Sequence, residues 1–347
     1  MTSFLAPSAT PLSLQAGVED EAPYQDVLGM WSDLEAALGL LLAHPAVIQQ
    51  LPSKVLQMDT WLQELIAHDS DSALYLMFQL AGSSTVGYSA SHALVCATLC
   101  HIVAGEFKLA AAERNALVHA AFTMNIGMTA LQDQLALQRE RPSAAQQETI
   151  RTHPAEGRNQ LQKFGVQDTL WLDVVGLHHI NTAAHAPLMQ QPPAERLARI
   201  LATCDRYAAM ISPRRNRAGR SVTESVQAVT GPQSKLYEQA GDALIRSVGL
   251  FPPGVYVALS TGETAVVLRR TTHIGYPLVA TLLDTRKMPL RHPELTTTNG
   301  QDLRISHALP SVEVNLQVDH RTMVRLGMYA ARFSDNLHQL VSMPGTR

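Results

Sequence analysis

Five residues in this 347-residue chain carry side chains suited to metal chemistry: His92, His153, the adjacent pair His178–His179, and Asp205. Neutral imidazole and carboxylate are the usual ligands for divalent iron, manganese and zinc. The five fall on four separate predicted helices, and a bundle builds a metal site when side chains converge from facing helices. An adjacent His–His pair turns its rings about 100° apart on a helix, so both serve one site only near a helix end. Taken alone the pair is as readily packing as ligation, and His153, just before Pro154, could equally be a cap or a core residue. His92, Cys96 and Cys100 recur every four residues on one helical face. A Cys/His metal site is one reading of that face. An inward stripe of small apolar residues is the better one, because free Cys packs like a small hydrophobe. His185 is a minor candidate for a replacement ligand. Arg214, Arg215, Arg217 and Arg220 in PRRNRAGR form either a solvated basic turn or an anion site.

The elements that must position these residues read mostly as helix. Apolar residues make up 46% of the chain while aromatics make up 5%. Ala and Leu dominate, and both lose little side-chain freedom in a helix. Residues 1–23 are rich in Pro, Ser, Thr and Ala and predict a flexible tail. LGMWSDLEAALGLLLAHP and VLQMDTWLQELIAHD each have helical period, and Asp69, Ser70 and Asp71 supply an N-cap before ALYLMFQLA. Residues 24–84 thus predict a helical N-terminal region without chemistry of its own. Residues 85–249 predict a helical core with helices over Ala111–Leu135, Ser143–Phe164, Asp168–Ile180 and Ala194–Ile211, and a last one from Pro232 to near Gly249. From Phe251 the pattern changes. VYVAL and TAVVLRR flank a tight turn, YPLVATLLD adds a third strand, and the alternating VEVNLQV predicts a fourth. Residues 250–347 therefore predict a small β-rich region ending in a helix from about Thr322. No internal repeat is visible.

A net charge of −3 gives no general drive toward DNA, RNA or anionic membranes, so any anion binding must be local. Three cysteines do not make a disulfide framework. No basic leader and no run of about 18 apolar residues is evident, which predicts a cytoplasmic protein without a membrane span.

The ordered motifs resemble those of the HD-GYP family, a branch of the HD phosphohydrolase superfamily. The early His is His92 in YSASHALVCATLC, the HP dipeptide is His153–Pro154, the pair is His178–His179 in VVGLHHI, and the Asp is Asp205 in RILATCDRYAAM. Positions 124, 153, 178 and 205 are separated by 29, 25 and 27 residues, which matches family spacing. The FPPGVYVALSTGETAVVLRR segment is similar to the short β-rich tail of many members. The likeness covers roughly residues 75–285. It implies a mainly α fold: an HD-type helical bundle core, with a helical N-terminal region and a small β-rich C-terminal appendage. It also implies a metal site from His92, Asn125, His153, His178, His179 and Asp205, phosphate contacts from Arg214 and Arg217, cyclic di-GMP as ligand, and protein partners in signalling.

The pattern breaks at two places. The family's HDIGK motif is MNIGM here, with Met124, Asn125 and Met128 at the His, Asp and Lys positions. Asn cannot bridge two cations as a carboxylate does, and Met is a soft ligand. After the His pair, Ile180 stands where the family has Glu, and no Gly-Tyr-Pro follows. Ala208 replaces a second Asp, and Asn216 stands at a Tyr position. Two-metal phosphodiester chemistry needs both ions and the group that bridges them. The expectation is one divalent ion (Fe, Mn or Zn), no secure catalytic residue, and weak or absent phosphodiesterase activity, with function through ligand or partner binding. The alternatives are an active phosphohydrolase with a mononuclear site, and an interaction module in which the old pocket is only packing.

Overall fold

Three side chains set where helices begin. Asp69 Oδ1 accepts hydrogen bonds from the backbone N–H groups of Asp71 and Ser72, and so caps α3 (Ser70–Leu80). Ser143 and Gln146 form a reciprocal capping box at the start of α7 (Ala144–Lys163). Asp168 accepts from the N–H groups of Leu170 and Trp171 at the start of α8 (Thr169–Leu177). The remaining helices are α1 (Ala22–Ala43), α2 (Leu51–His68), α4 (Tyr88–Glu106), α5 (Ala111–Thr123), α6 (Thr129–Leu137), α9 (Pro193–Ile211), α10 (Glu238–Val248) and α11 (His320–Val341). This computed structural model describes residues 22–80, 86–180, 186–211, 238–299, 301–310, 313, 314 and 316–341. The tail expected over residues 1–23 lies outside them, except that α1 already begins at Ala22. The start expected at Pro232 also lies outside.

The fold is mainly helical, with a small antiparallel sheet toward the C-terminus. Its strands are β1 (Tyr256–Leu259), β2 (Thr264–Arg269), β3 (Leu278–Leu283), β4 (Pro289–Thr297) and β5 (Ile305–Leu309), in the order β4-β3-β2-β1-β5. Tyr256 pairs with Val266 on one side and with Leu309 on the other. The first three strands sit where the apolar runs VYVAL, TAVVLRR and YPLVATLLD predict them. The fourth does not: residues 313, 314 and 316–318 of VEVNLQV form no strand. The exposed edge of β1 is already taken by β5, and Glu313 N–H bonds back to the Pro310 carbonyl in a turn. Val314 is buried as a packing residue, so its apolar character reflects the core and not a ladder. β4 contains Pro289 and Pro293 and is largely exposed, which suits an edge strand and hides it from sequence reading.

Helix α4 is the centre of the helical part. Every residue from Ser89 to Cys100 is buried, because α1, α5, α9 and α10 pack around it. It is long and apolar enough to cross a membrane by length and composition, contrary to the expectation from the sequence, yet 78% of that window is buried inside the fold. Its uniform apolarity is what a helix surrounded on all sides needs. The segment expected as one helix over Ala111–Leu135 is broken: α5 stops at Thr123, a 3₁₀ turn covers Ile126–Met128, and α6 follows. The break lets the turn lie against α7. A Cβ on Gly127 would sit 2.9 Å from the His153 carbonyl oxygen, so only glycine allows this approach.

A buried ionic network ties the N-terminal helices to this core. Asp59 of α2 accepts from Arg114 Nη1 at 2.5 Å and from His119 Nε2 at 3.0 Å, both on α5. Arg114 Nε also donates to His101 Nδ1 at 2.9 Å. Burial works to raise the Asp59 pKa, but its bonds to His119 and Arg114 prevail and hold it below the usual carboxylate range. Arg269 and Arg270 at the end of β2 pair with Asp69 and Asp71 and fasten the sheet to α3. Removing one member of a buried pair strands the other charge. Arg114→Met should therefore cost about 3–5 kcal/mol, and the double variant with Asp59→Asn should recover part of it. Urea denaturation of the three proteins measures both effects.

Candidate metal centre

His153 lies within α7, and the chemistry of the HP dipeptide reduces to one hydrogen bond. Pro154 has no N–H, so the Ile150 carbonyl, one turn back, loses its helical donor. His153 Nδ1–H donates to that carbonyl at 2.6 Å. His178 does the same by another route. It caps the C-terminus of α8, where the last carbonyls lack helical partners, and its Nδ1–H donates to the Val175 carbonyl at 2.7 Å. A carbonyl can only accept, so both rings carry their proton on Nδ1 and turn a lone pair on Nε2 inward. Those two Nε2 atoms face each other at 3.2 Å.

Two lone pairs at that distance repel unless a cation lies between them. A proton serves poorly. Burial first, then neighbouring His179, push the His153 pKa down to about 4 against a bond to Ile150 that raises it, and burial with His179 and His153 pushes His178 down to about 3. A divalent ion fits better: two imidazole nitrogens bound at about 2.0–2.1 Å each stand about 3.0–3.4 Å apart. The Nδ1–H···O=C bonds are the arrangement that fixes ligating histidines. His179 supplies the third ring. Its centroid lies 4.2 Å from that of His178 and 5.1 Å from that of His153, and the ligand atoms of all three lie within 4.8 Å of one another. The pair can serve one site because α8 ends just before it.

A second group adjoins the first. His92 Nε2 lies 2.8 Å from Asp205 Oδ1 and 3.6 Å from Cys96 Sγ, and these three also fall within 4.8 Å. Asp205 is influenced by both groups. Burial works to raise its pKa, but the bond and charge of His92, with His179 and His178 nearby, hold it well below the carboxylate range. The ring of Tyr88 stacks on His92 at 5.4 Å.

Other expected positions fall as follows. Asn125 is half-buried in the turn after α5 that packs on α7, while Met124 is buried in the core and Met128 half-buried in the same turn. Ala208 is buried and Ile180 exposed. Arg214, Arg217 and His185 lie outside the described residues. A small cleft beside His178 is walled by Leu177, Ile180, Glu195 and Arg199. Its cavity volume of about 10 Å³ is far below the ~300–1,000 Å³ of an enclosing ligand pocket. Sequence reasoning weighed Cys96 as core and left it out of the ligand set. The signal was its four-residue spacing from His92, which ligation and core packing share.

The fold and these side chains define a helical bundle with a histidine-rich candidate metal centre. Over 123 residues, 35% of its length, the chain is 29% identical to the cyclic di-GMP phosphodiesterase PA4108 of Pseudomonas aeruginosa. The matched stretch spans 30% of that protein. No family model matches the chain. The partial likeness agrees with a cyclic di-GMP phosphodiesterase-like family.

Two outcomes follow for this centre. Pro154→Ala restores a backbone N–H to the Ile150 carbonyl and displaces His153 Nδ1. Metal affinity should drop about 10–100-fold, with no loss of thermal stability in the metal-free protein; metal titration and thermal melts measure the two. Between pH 6.5 and about 4, the unfolded chain holds protons on His153 and His178 that the folded metal-free chain does not. Metal-free stability should therefore fall as pH drops through that window, as denaturant midpoints across pH would record.

Proposed function

We propose that the chain is a degenerate HD-GYP-like protein of cyclic di-GMP signalling, which holds a metal ion and acts by binding a ligand or partner with little or no phosphodiesterase turnover. The observation that carries the reading is the facing pair of Nε2 lone pairs in His153 and His178, held ready for a cation. His153, His178 and His179 are the ligands of one divalent ion (Fe, Mn or Zn), with Asn125 or solvent completing the set. Such an ion would supply Lewis-acid polarisation of a phosphoryl oxygen. His92 and Asp205 retain part of a second position. Asn125, Ile180 and Ala208 stand where the family pattern has carboxylates, so the charge needed to bridge and neutralise two ions is reduced. Arg214 and Arg217 are the proposed phosphate contacts, since a guanidinium pairs with phosphate bidentately.

The intact three-histidine group also favours a second reading: a mononuclear phosphohydrolase acting on another phosphorylated substrate. One experiment separates them. Protein purified without added metal is subjected to elemental analysis, then incubated with cyclic di-GMP and manganese or iron. The expected result is one ion per chain at the three-histidine group and no turnover, together with cyclic di-GMP binding that weakens about tenfold or more in the Arg214→Ala and Arg217→Ala variants. Hydrolysis that disappears in His178→Ala would reverse the assignment in favour of an enzyme.

A further inference from the structure

We propose that His92, Cys96 and Asp205 form a second metal site in which Cys96 binds as a thiolate, and that this site selects zinc over manganese. The inference rests on the reading of this pocket as a metal centre, and it adds a ligand that the resemblance does not supply.

His92 and Cys96 project from one face of α4 at i and i+4, and Asp205 meets them from α9. His92 Nε2 and Cys96 Sγ stand 3.6 Å apart. Ligands at about 2.0–2.1 Å (N) and 2.3 Å (S) from a tetrahedral zinc ion lie about 3.5–3.6 Å apart. The pair therefore already has the separation that joint binding requires. Asp205 Oδ1, now 2.8 Å from His92 Nε2 as a hydrogen-bond acceptor, needs to withdraw by only a few tenths of an ångström.

The protons can also be placed. A carboxylate only accepts, so the His92 Nε2 carries the hydrogen in that bond. Its Nδ1 is buried without a hydrogen-bond partner. Were an ion to take Nε2, that proton would move to Nδ1, which has no hydrogen-bond partner, and the buried Cys96 thiol would give up its own proton as the ion binds. The bound state then has one neutral imidazole, one thiolate and one carboxylate. Their two negative charges match a divalent cation in a site where His92 and Cys96 are buried. Thiolate is a soft donor that favours zinc, while manganese prefers oxygen ligands. Three protein ligands leave a fourth position open, as in zinc sites that accept water or substrate.

The test uses the full chain loaded with cobalt(II) as a spectroscopic stand-in for zinc. A thiolate-to-cobalt charge-transfer band in the near ultraviolet is expected. It should vanish in Cys96→Ala, persist in Cys100→Ala and Cys204→Ala, and yield to zinc but not to equimolar manganese. Zinc affinity at this site should fall about 100-fold or more in Cys96→Ala, since even supporting groups outside the ligand set cost 10–100-fold. Cobalt bound to folded wild-type protein without the band overturns the inference, whatever the variants do. A band that survives in Cys96→Ala also overturns it. His178→Ala keeps the two readings apart. Loss of one ion equivalent with the band retained supports both. A retained ion count with the band intact overturns only the three-histidine assignment.

Discussion

The site depends on two backbone carbonyls that have no helical donor. Ile150 loses its donor to Pro154, and Val175 loses its donor to the end of α8. Each orphan carbonyl captures the Nδ1–H of the histidine three residues on. That single device fixes the ring, the tautomer and the inward direction of Nε2. In water an imidazole would exchange both tautomers. Here the wrong tautomer would leave a buried carbonyl unpaired, at a cost of about 1–3 kcal/mol each. The repulsion between the two Nε2 lone pairs is thus built into the backbone and cannot be relieved by a ring flip at low cost.

The rest of the fold brings these carbonyls together and keeps them dry. The turn after α5 lies against the His153 carbonyl because residue 127 is glycine. Trp171 of α8 donates its indole N–H to Thr123 at the end of α5, and its ring lies against His119, whose Nε2 binds Asp59. A chain of contacts therefore runs from the N-terminal helix α2, through α5, to the helix that ends at His178. The N-terminal region supplies no ligand, yet its buried aspartate neutralises Arg114 beside α4, the helix that carries His92.

Several parts of this were legible in the sequence for physical reasons. The cap at Asp69 and the helix starts at Ser143 and Asp168 are local, since each side chain satisfies an amide two or three residues away. The His153, His178 and Asp205 positions stand out because Pro154, the adjacent pair and their spacing are all visible in one dimension. The break after Thr123 was hidden because Ala and Leu favour helix on both sides of it. Strand β4 was hidden by its two prolines, and VEVNLQV misled because alternation records burial and not pairing. For Cys96 the ambiguity is deeper. An i, i+4 step along a buried helix describes a ligand pair and a packing stripe equally well, and only the arrival of Asp205 from α9, 109 positions further along the chain, distinguishes them.

The donors gathered in this pocket share a chemical character. Asn125, Ile180 and Ala208 supply no carboxylate to it. Imidazoles remain at His92, His153, His178 and His179, and the donor nearest to His92 beyond Asp205 is a sulfur. The negative charge available to bridge two hard cations is small, while the bonds to the orphan carbonyls hold His153 and His178 with Nε2 turned inward. Neutral nitrogens and one soft sulfur suit a borderline ion such as zinc better than the bridging of two hard ones.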